Sequence, residues 1–183
     1  QLWIKGFCHT LGYELSMGMG SLKYPELHHL RAANGWVELG AFDDAVEELE
    51  NLPKHLREHP DVLDVEWKIR AGQENWSDAL KIAERMVESG PEQVSGWVHR
   101  SYSLHELKRT QDAMVSLQPA YKKFLGDFII PYNLACYCCQ MGDLLNAKTW
   151  LERAIKRGDR KTVKKMALCD GDLESMRAEI ERL

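Results

Sequence analysis

The sequence predicts an all-α chain, an α-solenoid (superhelix) of four stacked helical hairpins closed by C-terminal capping helices. Three observations carry that prediction: an alanine that recurs at a fixed interval, helical periodicity on both sides of it, and a short polar or glycine-containing break between the paired stretches. The segments GAFDDAVEEL, ENWSDALKIA, KRTQDAMVSL and GDLLNAKTWL align without gaps. Each carries alanine at its sixth place, Ala45, Ala79, Ala113 and Ala147, and the interval is the same every time.

The breaks come first in each alignment: Gly40-Ala41-Phe42-Asp43, Glu74-Asn75-Trp76-Ser77, Lys108-Arg109-Thr110-Gln111 and Gly142-Asp143-Leu144. Gly40 and Gly142 can close a helix in the left-handed conformation, and Asp43, Ser77 and Asp143 are expected to cap the helix that follows. Two antiparallel helices joined by so short a turn approach closely, and only a small side chain fits between them. That is the reason for the alanine. Phe42, Trp76 and Leu144 are expected to cover the turns, with Thr110 as the departure.

The repeated units run over about 26–59, 60–93, 94–127 and 128–161, followed by a cap over 162–183. Together they form a single domain over 25–183. Two further helices, near 160–169 and 172–182, are expected to cover the apolar edge that the fourth unit leaves. Residues 1–24 stand apart as an N-terminal extension, because Gly6, Gly12, Gly18 and Gly20 interrupt any helix there. Met17 and Met19 are candidate starts of the natural chain, which would leave the preceding residues foreign to it.

At 183 residues the chain can bury a core without covalent staples. Its five cysteines are an odd number, and Cys136, Cys138 and Cys139 crowd together, which suits a reducing compartment and a cytoplasmic location. No segment has the length and apolarity of a membrane span, and QLWIKGFCHTLG is a poor signal peptide. The formal charge of −4 gives no reason to expect nucleic acid. Residues 1–91 hold 9 Lys+Arg against 16 Asp+Glu and residues 92–183 hold 15 against 12, so the two halves differ in sign.

The 34-residue helix-turn-helix period, the small residue in each second helix, Trp97 in a first helix, Gly40 and Gly142 at turns and Pro91 between units together resemble the tetratricopeptide repeat family. The resemblance covers about residues 26–161. The fourth unit and the following DGDLESMR resemble the closing portion of bacterial multi-repeat members with a C-terminal capping segment. One unit departs from the pattern: the small residue expected midway along the first helix is Ala33, Ser101 and Ala135 in three units but Trp67 in the second.

The resemblance implies a concave groove lined by the first helix of every unit and occupied by a peptide or protein. Carried over position by position, the groove would include Leu30, Asn34, Asp64, Lys68, Val98, Tyr102, His105, Tyr132, Asn133, Cys136 and Gln140. The partner-binding residues expected to matter most are Asn34, Lys68, Tyr102, His105, Tyr132, Asn133 and Gln140. Rings can cover apolar side chains of a partner, and an amide can pair with its main chain. In members that clamp a C-terminal carboxylate, lysine and arginine occupy places held here by Leu30, Ser95 and His99, which argues against that role.

The residues themselves give little support to chemistry. Cys136 and Cys139 share a helix face, but a closed zinc site needs a second pair and the sequence offers none, so the cysteines are read as packing residues and no metal or other cofactor is expected. His105-Glu106 lacks a second histidine four places on, where Arg109 stands, and neither a phosphate loop nor a nucleophile elbow occurs. A basic run, Arg153, Lys156, Arg157, Arg160, Lys161, Lys164 and Lys165, is read as a solvated surface because no aromatic residue interleaves with it in sequence.

The expected function is therefore a non-catalytic scaffold or adaptor. The alternative is a structural protein that self-associates, the acidic N-terminal half of one copy meeting the basic C-terminal end of another.

Overall fold

The computed structural model describes residues 22–183, so the readings for residues 1–21, Met17 and Met19 included, lie outside the described residues. Those described form ten α-helices and no strand. In chain order they are α1 (Glu26–Leu39), α2 (Phe42–Glu50), α3 (Pro60–Gly72), α4 (Trp76–Ser89), α5 (Val94–Glu106), α6 (Thr110–Lys123), α7 (Ile129–Gln140), α8 (Leu144–Arg157), α9 (Arg160–Cys169) and α10 (Arg177–Arg182). A short 3-10 turn, Lys54–Leu56, precedes α3, and a longer one, Gly171–Met176, joins α9 to α10. The chain divides into two compact units, with the boundary between Gly96 and Trp97 early in α5.

Every hairpin turn is built alike. Gly40, Glu74, Lys108 and Gly142, each one repeat length from the next, all adopt positive φ, at 75°, 56°, 63° and 80°. At each turn the same two main-chain bonds close the first helix: Gly40 N to Val37 O with Ala41 N to Trp36 O, and their counterparts at Glu74, Lys108 and Gly142. This is the paired closure of a Schellman motif. Glycine adopts that backbone without strain, whereas Glu74 and Lys108 do so at a cost of about 1–2 kcal/mol each. The sequence shows the glycines and hides the other two.

The cap expected at Asp143 is found there, and the other two lie two places before Asp43 and Ser77. The N-cap positions are Ala41, Asn75, Arg109 and Asp143, so Asp43 and Ser77 lie inside the first turn. Asn75 accepts from Asp78 N and Asp143 from Asn146 N, while Ala41 and Arg109 offer no side-chain cap.

Within the first unit α1 packs on α2, α3 on α4, and α3 on both α1 and α2. Ala45 and Ala79 are fully buried where the paired helices meet. Leu30, Ala33, Leu52, Val62, Val65 and Ile69 form the core with Ala45, and Phe42 packs against it. The Phe42 ring lies over Gly72, only 2.2 Å from where a β-carbon would stand, so this end of α3 is kept free of any side chain. Trp67, at the place of the small residue, is also buried.

The second unit is centred on α7, which packs against α6, α8 and the 3-10 segment. All eleven residues from 129 to 139 are buried. A helix apolar around its whole circumference, as IIPYNLACYCC is, needs cover on every side. Ala113 and Ala147 are fully buried, as are Leu117 and Leu151 one turn further along. Leu144 is 44% exposed and does not cover its turn as expected; at the opposite, open end of that hairpin Phe128 lies over Gly158. Pro119 inside α6 removes the bond to the carbonyl of Val115, whose side chain is exposed, so water can take that acceptor.

The basic run is absorbed into this unit more than its sequence suggests. The Arg157 guanidinium sits 3.8 Å from the Tyr121 ring and donates to the carbonyls of Tyr121, Phe124 and Asp127. Arg153 lies 4.3 Å over Trp150, which meets Tyr121 edge to face at 4.8 Å. Aromatic rings therefore do interleave with these charges, but they arrive from α6 and α8 through the fold. Arg160 donates to the Leu183 carbonyl and Lys164 to that of Glu181, which closes the C-terminal end of α10. Lys156, Lys161 and Lys165 are exposed.

Candidate functional site

Two first-helix faces, one in each unit, carry the side chains expected to recognise a partner. Because the repeat length is constant, Asn34, Lys68, Tyr102 and Cys136 occupy equivalent places on α1, α3, α5 and α7.

In the first unit the face is a half-buried polar network. The Lys68 Nζ lies 2.8 Å from Asp64 Oδ2 and donates to Asn34 Oδ1 at 3.2 Å, while Asn34 Nδ2 donates to Glu38 Oε1 at 3.0 Å. One ammonium thus serves two helices, and water reaches all of it. Bonds of this kind contribute little net stability, so they can be exchanged for bonds to another molecule at low cost.

In the second unit the equivalent face is covered. The segment following α9 crosses it, and its side chains meet those of α5 and α7 one by one. Tyr132 Oη donates to Asp170 Oδ2 at 2.8 Å and Cys136 Sγ reaches the same oxygen at 3.6 Å. His105 Nε2 lies 3.1 Å from Asp172 Oδ2, with its Nδ1 3.0 Å from Thr110 Oγ1. Gln140 Nε2 donates to the Asp172 carbonyl at 2.9 Å, and Cys139 Sγ lies 3.0 Å from Ser175 Oγ. Asp170 is itself buried, and its second oxygen accepts from Asp172 N, which starts the 3-10 turn. Leu173 and Met176 are fully buried between these polar contacts.

Of the expected site residues, the structure therefore gathers His105, Tyr132 and Gln140 around residues 170–176. Tyr102 is half-buried and hydrogen-bonds Glu106. Asn133 is buried, and its Nδ2 has no hydrogen-bond partner among the described residues. Asn34 and Lys68 belong to the first unit's network.

Burial fixes the protonation of the covered side. The Tyr132 hydroxyl is pushed far above its ordinary value by burial first, then by Cys136 and the Asp170 carboxylate. The Cys136 thiol is driven up by burial and then by Asp170 and Asp172. Burial raises Cys138 to about 11, with Asp143 and Cys139 adding to it. Burial thus favours the protonated form of all three, and Tyr132 and Cys136 use it to face the Asp170 carboxylate. Among the described residues no three His, Cys, Asp or Glu side chains gather as a metal centre would require.

Asp170, Asp172, Leu173, Ser175 and Met176 were not among the expected site residues, because DGDLESM reads as part of a cap. A signal was available. Asp170 stands one repeat length after Cys136, and the polar groups of Tyr132, Cys136 and Gln140 on an otherwise apolar helix needed a polar counterpart.

No protein-family model matches the sequence, and no curated protein matches it significantly. Solved structures do match. A thermophilic TPR protein of Thermus thermophilus superposes with a TM-score of 0.66 at 18% identity, over 87% of this chain and 83% of that one. MamA residues 41 to the end from Desulfovibrio magneticus RS-1 superposes with a TM-score of 0.64 at 13% identity, over 88% and 94%. A further crystal structure of MamA gives 0.63 at 16%, over 86% of each chain. The fold is the tetratricopeptide-repeat fold. Within it, α1, α3, α5 and α7 are the first helices of four repeats, and at these identities the likeness speaks of backbone alone.

Proposed function

We propose that the chain is a protein-interaction scaffold or adaptor that binds a peptide or protein partner along the first helices of its repeats, with no catalysis of its own. One observation carries the reading: on α5 and α7 these side chains already hold a stretch of polypeptide, through bonds to its carboxylates, a main-chain carbonyl and a hydroxyl. Side chains that satisfy residues 170–175 in this way have the chemistry to satisfy a partner. In the first unit Asn34 and Lys68 present an amide and an ammonium whose present bonds are weak. Tyr102 and Asn133 add a ring and a buried amide donor.

The crowding of Cys136, Cys138 and Cys139 as free thiols supports a reducing location such as the cytoplasm, and no described helix is long and apolar enough to cross a membrane. Charge-driven self-association has less support, because Arg153, Arg157, Arg160 and Lys164 are engaged within their own unit.

The test is affinity capture from the source organism with the wild-type chain, an Asn34→Ala/Lys68→Ala variant, a Tyr102→Ala/Gln140→Ala variant, and Lys81→Ala on a second helix as control. A protein captured by wild type and control but lost from either face variant supports the reading. Identical capture by all four, or none above background, overturns it.

A further inference from the structure

We propose that residues 170–176 are a tethered ligand. The face of α5 and α7 beneath them is a peptide site whose partner carries the same pattern, Asp-x-Asp-Leu-x-x-Met, and binds by displacing them. The inference rests on the scaffold reading above and adds the chemistry of the partner and the control of access.

The segment is bound as a ligand is bound. It belongs to none of the hairpins and has only a 3-10 turn of its own, a conformation with poor internal hydrogen-bond geometry. Its position therefore depends on the helices beneath it. Five contacts join it to side chains of α5 and α7: Tyr132 and Cys136 to Asp170, His105 and Gln140 to Asp172, and Cys139 to Ser175. Leu173 and Met176, three residues apart, are the apolar anchors. Gly171, Glu174 and Ser175 face solvent, so the cover is a single layer.

The site is selective because of its donors. A buried tyrosine hydroxyl and a buried thiol, both held protonated, suit a carboxylate and leave an amide or apolar group poorly matched. Gln140 reads the main chain of the occupant, a contact that any peptide can reproduce. Release would expose polar groups that water can satisfy, unlike release of the leucine seams between paired helices. Because the segment is attached, it competes at an effective concentration in about the millimolar range, so an untethered partner binds weakly until the segment is loosened.

The experiment uses the full chain and a fluorescein-labelled synthetic peptide of residues 170–183, read by fluorescence anisotropy. The wild-type chain should bind it weakly, and a Leu173→Ala/Met176→Ala chain, whose own segment is loosened, at least about tenfold more tightly. The same peptide made with Asp170→Asn should lose at least about tenfold in affinity for that variant. A variant with unchanged helical circular dichroism that binds no better than wild type overturns the proposal, as does equal binding of the substituted peptide. A dimer formed by exchange of the segment between copies, seen by light scattering without peptide binding, also overturns it.

Should the variant fail to fold, hydrogen exchange on the wild-type chain decides. Amides of residues 172–176 should exchange through an opening that leaves α7 and α8 protected, and exchange at the rate of α7 overturns the inference. Failure of the peptide assay beside a partner captured through Asn34 and Lys68 removes the tethered ligand and leaves the scaffold reading standing.

Discussion

The face of α1 and α3 and the face of α5 and α7 occupy the same place in the repeat and have opposite fates. On the first, Asn34, Lys68, Asp64 and Glu38 satisfy one another in contact with water. On the second, Tyr132, Cys136, His105 and Gln140 are satisfied by residues 170–172. Repeat position determines which way a side chain points. What lies over it depends on the path the chain takes after the repeats end.

The comparison can be broken most decisively by thiol chemistry, where the largest effect is expected. With Cys138 raised to about 11, only about one molecule in a thousand carries its thiolate at pH 8. Cys136 is likewise held up by burial and two carboxylates, whereas Cys169 is exposed. Iodoacetamide at that pH should label Cys169 and spare Cys136, Cys138 and Cys139, as peptide mass mapping would show. Labelling of Cys136 and Cys139 should appear in Tyr132→Phe. Rapid labelling of Cys136 in the wild-type chain would mean that the face is not covered.

Overpacking the hairpins comes next. Ala45→Leu in the first unit and Ala147→Leu in the second should each cost about 1–3 kcal/mol by urea denaturation, because both sites are fully buried between paired helices. A large cost in one unit only would show that the alanine contact is not shared.

Removing one hydroxyl from the covered face sharpens the contrast further. Tyr132→Phe deprives the buried Asp170 carboxylate of a donor and should cost about 1–3 kcal/mol. Asn34→Ala on the open face should change stability by no more than about 0.5 kcal/mol. Equal costs in denaturant titrations would erase the difference between the faces.

Smaller gains should come from the strained turns, one in each unit. Glu74→Gly and Lys108→Gly should each stabilise by about 0.5–1 kcal/mol, the relief of positive φ being partly offset by the freedom of glycine in the unfolded chain. The melting temperature of each variant against wild type checks this.

The smallest effect is that of acid on the caps. Asp143 and Asp159 are held below the usual value of 3.8 by hydrogen bonds from Asn146 and Thr162, and Asp78 by Lys81 and Asn75. A depressed folded value means the contribution is complete above the unfolded value and is lost as the pH falls through the folded one. Melting temperatures followed from about pH 6 to about pH 3 should fall more steeply for wild type than for Asp143→Asn, whose amide still caps α8.

The hairpins were legible because their causes are local. Ala45, Ala79, Ala113 and Ala147 mark close helix contacts made by residues less than a turn and a half from the bend, and Gly40 and Gly142 announce the left-handed backbone. Glu74 and Lys108 do the same without announcing it, since the paired helices on either side impose the turn and the residues tolerate the strain. Leu144 was expected over its turn and is exposed, a departure that the repeat pattern does not reveal. The basic run looked free of aromatic partners because Trp150 stands one helical turn before it on α8 and Tyr121 reaches it from α6.

By itself the sequence determined the period, the helical hairpins, the turns and the small residue that lets each pair close, all of them consequences of backbone geometry within a few tens of residues. Only the tertiary structure decided which of the two first-helix faces meets water and which is filled. That outcome rests on bonds such as Tyr132 to Asp170 and His105 to Asp172, the latter spanning 67 residues. No periodicity encodes such bonds, because their geometry exists only once the chain beyond α9 has crossed back over α7.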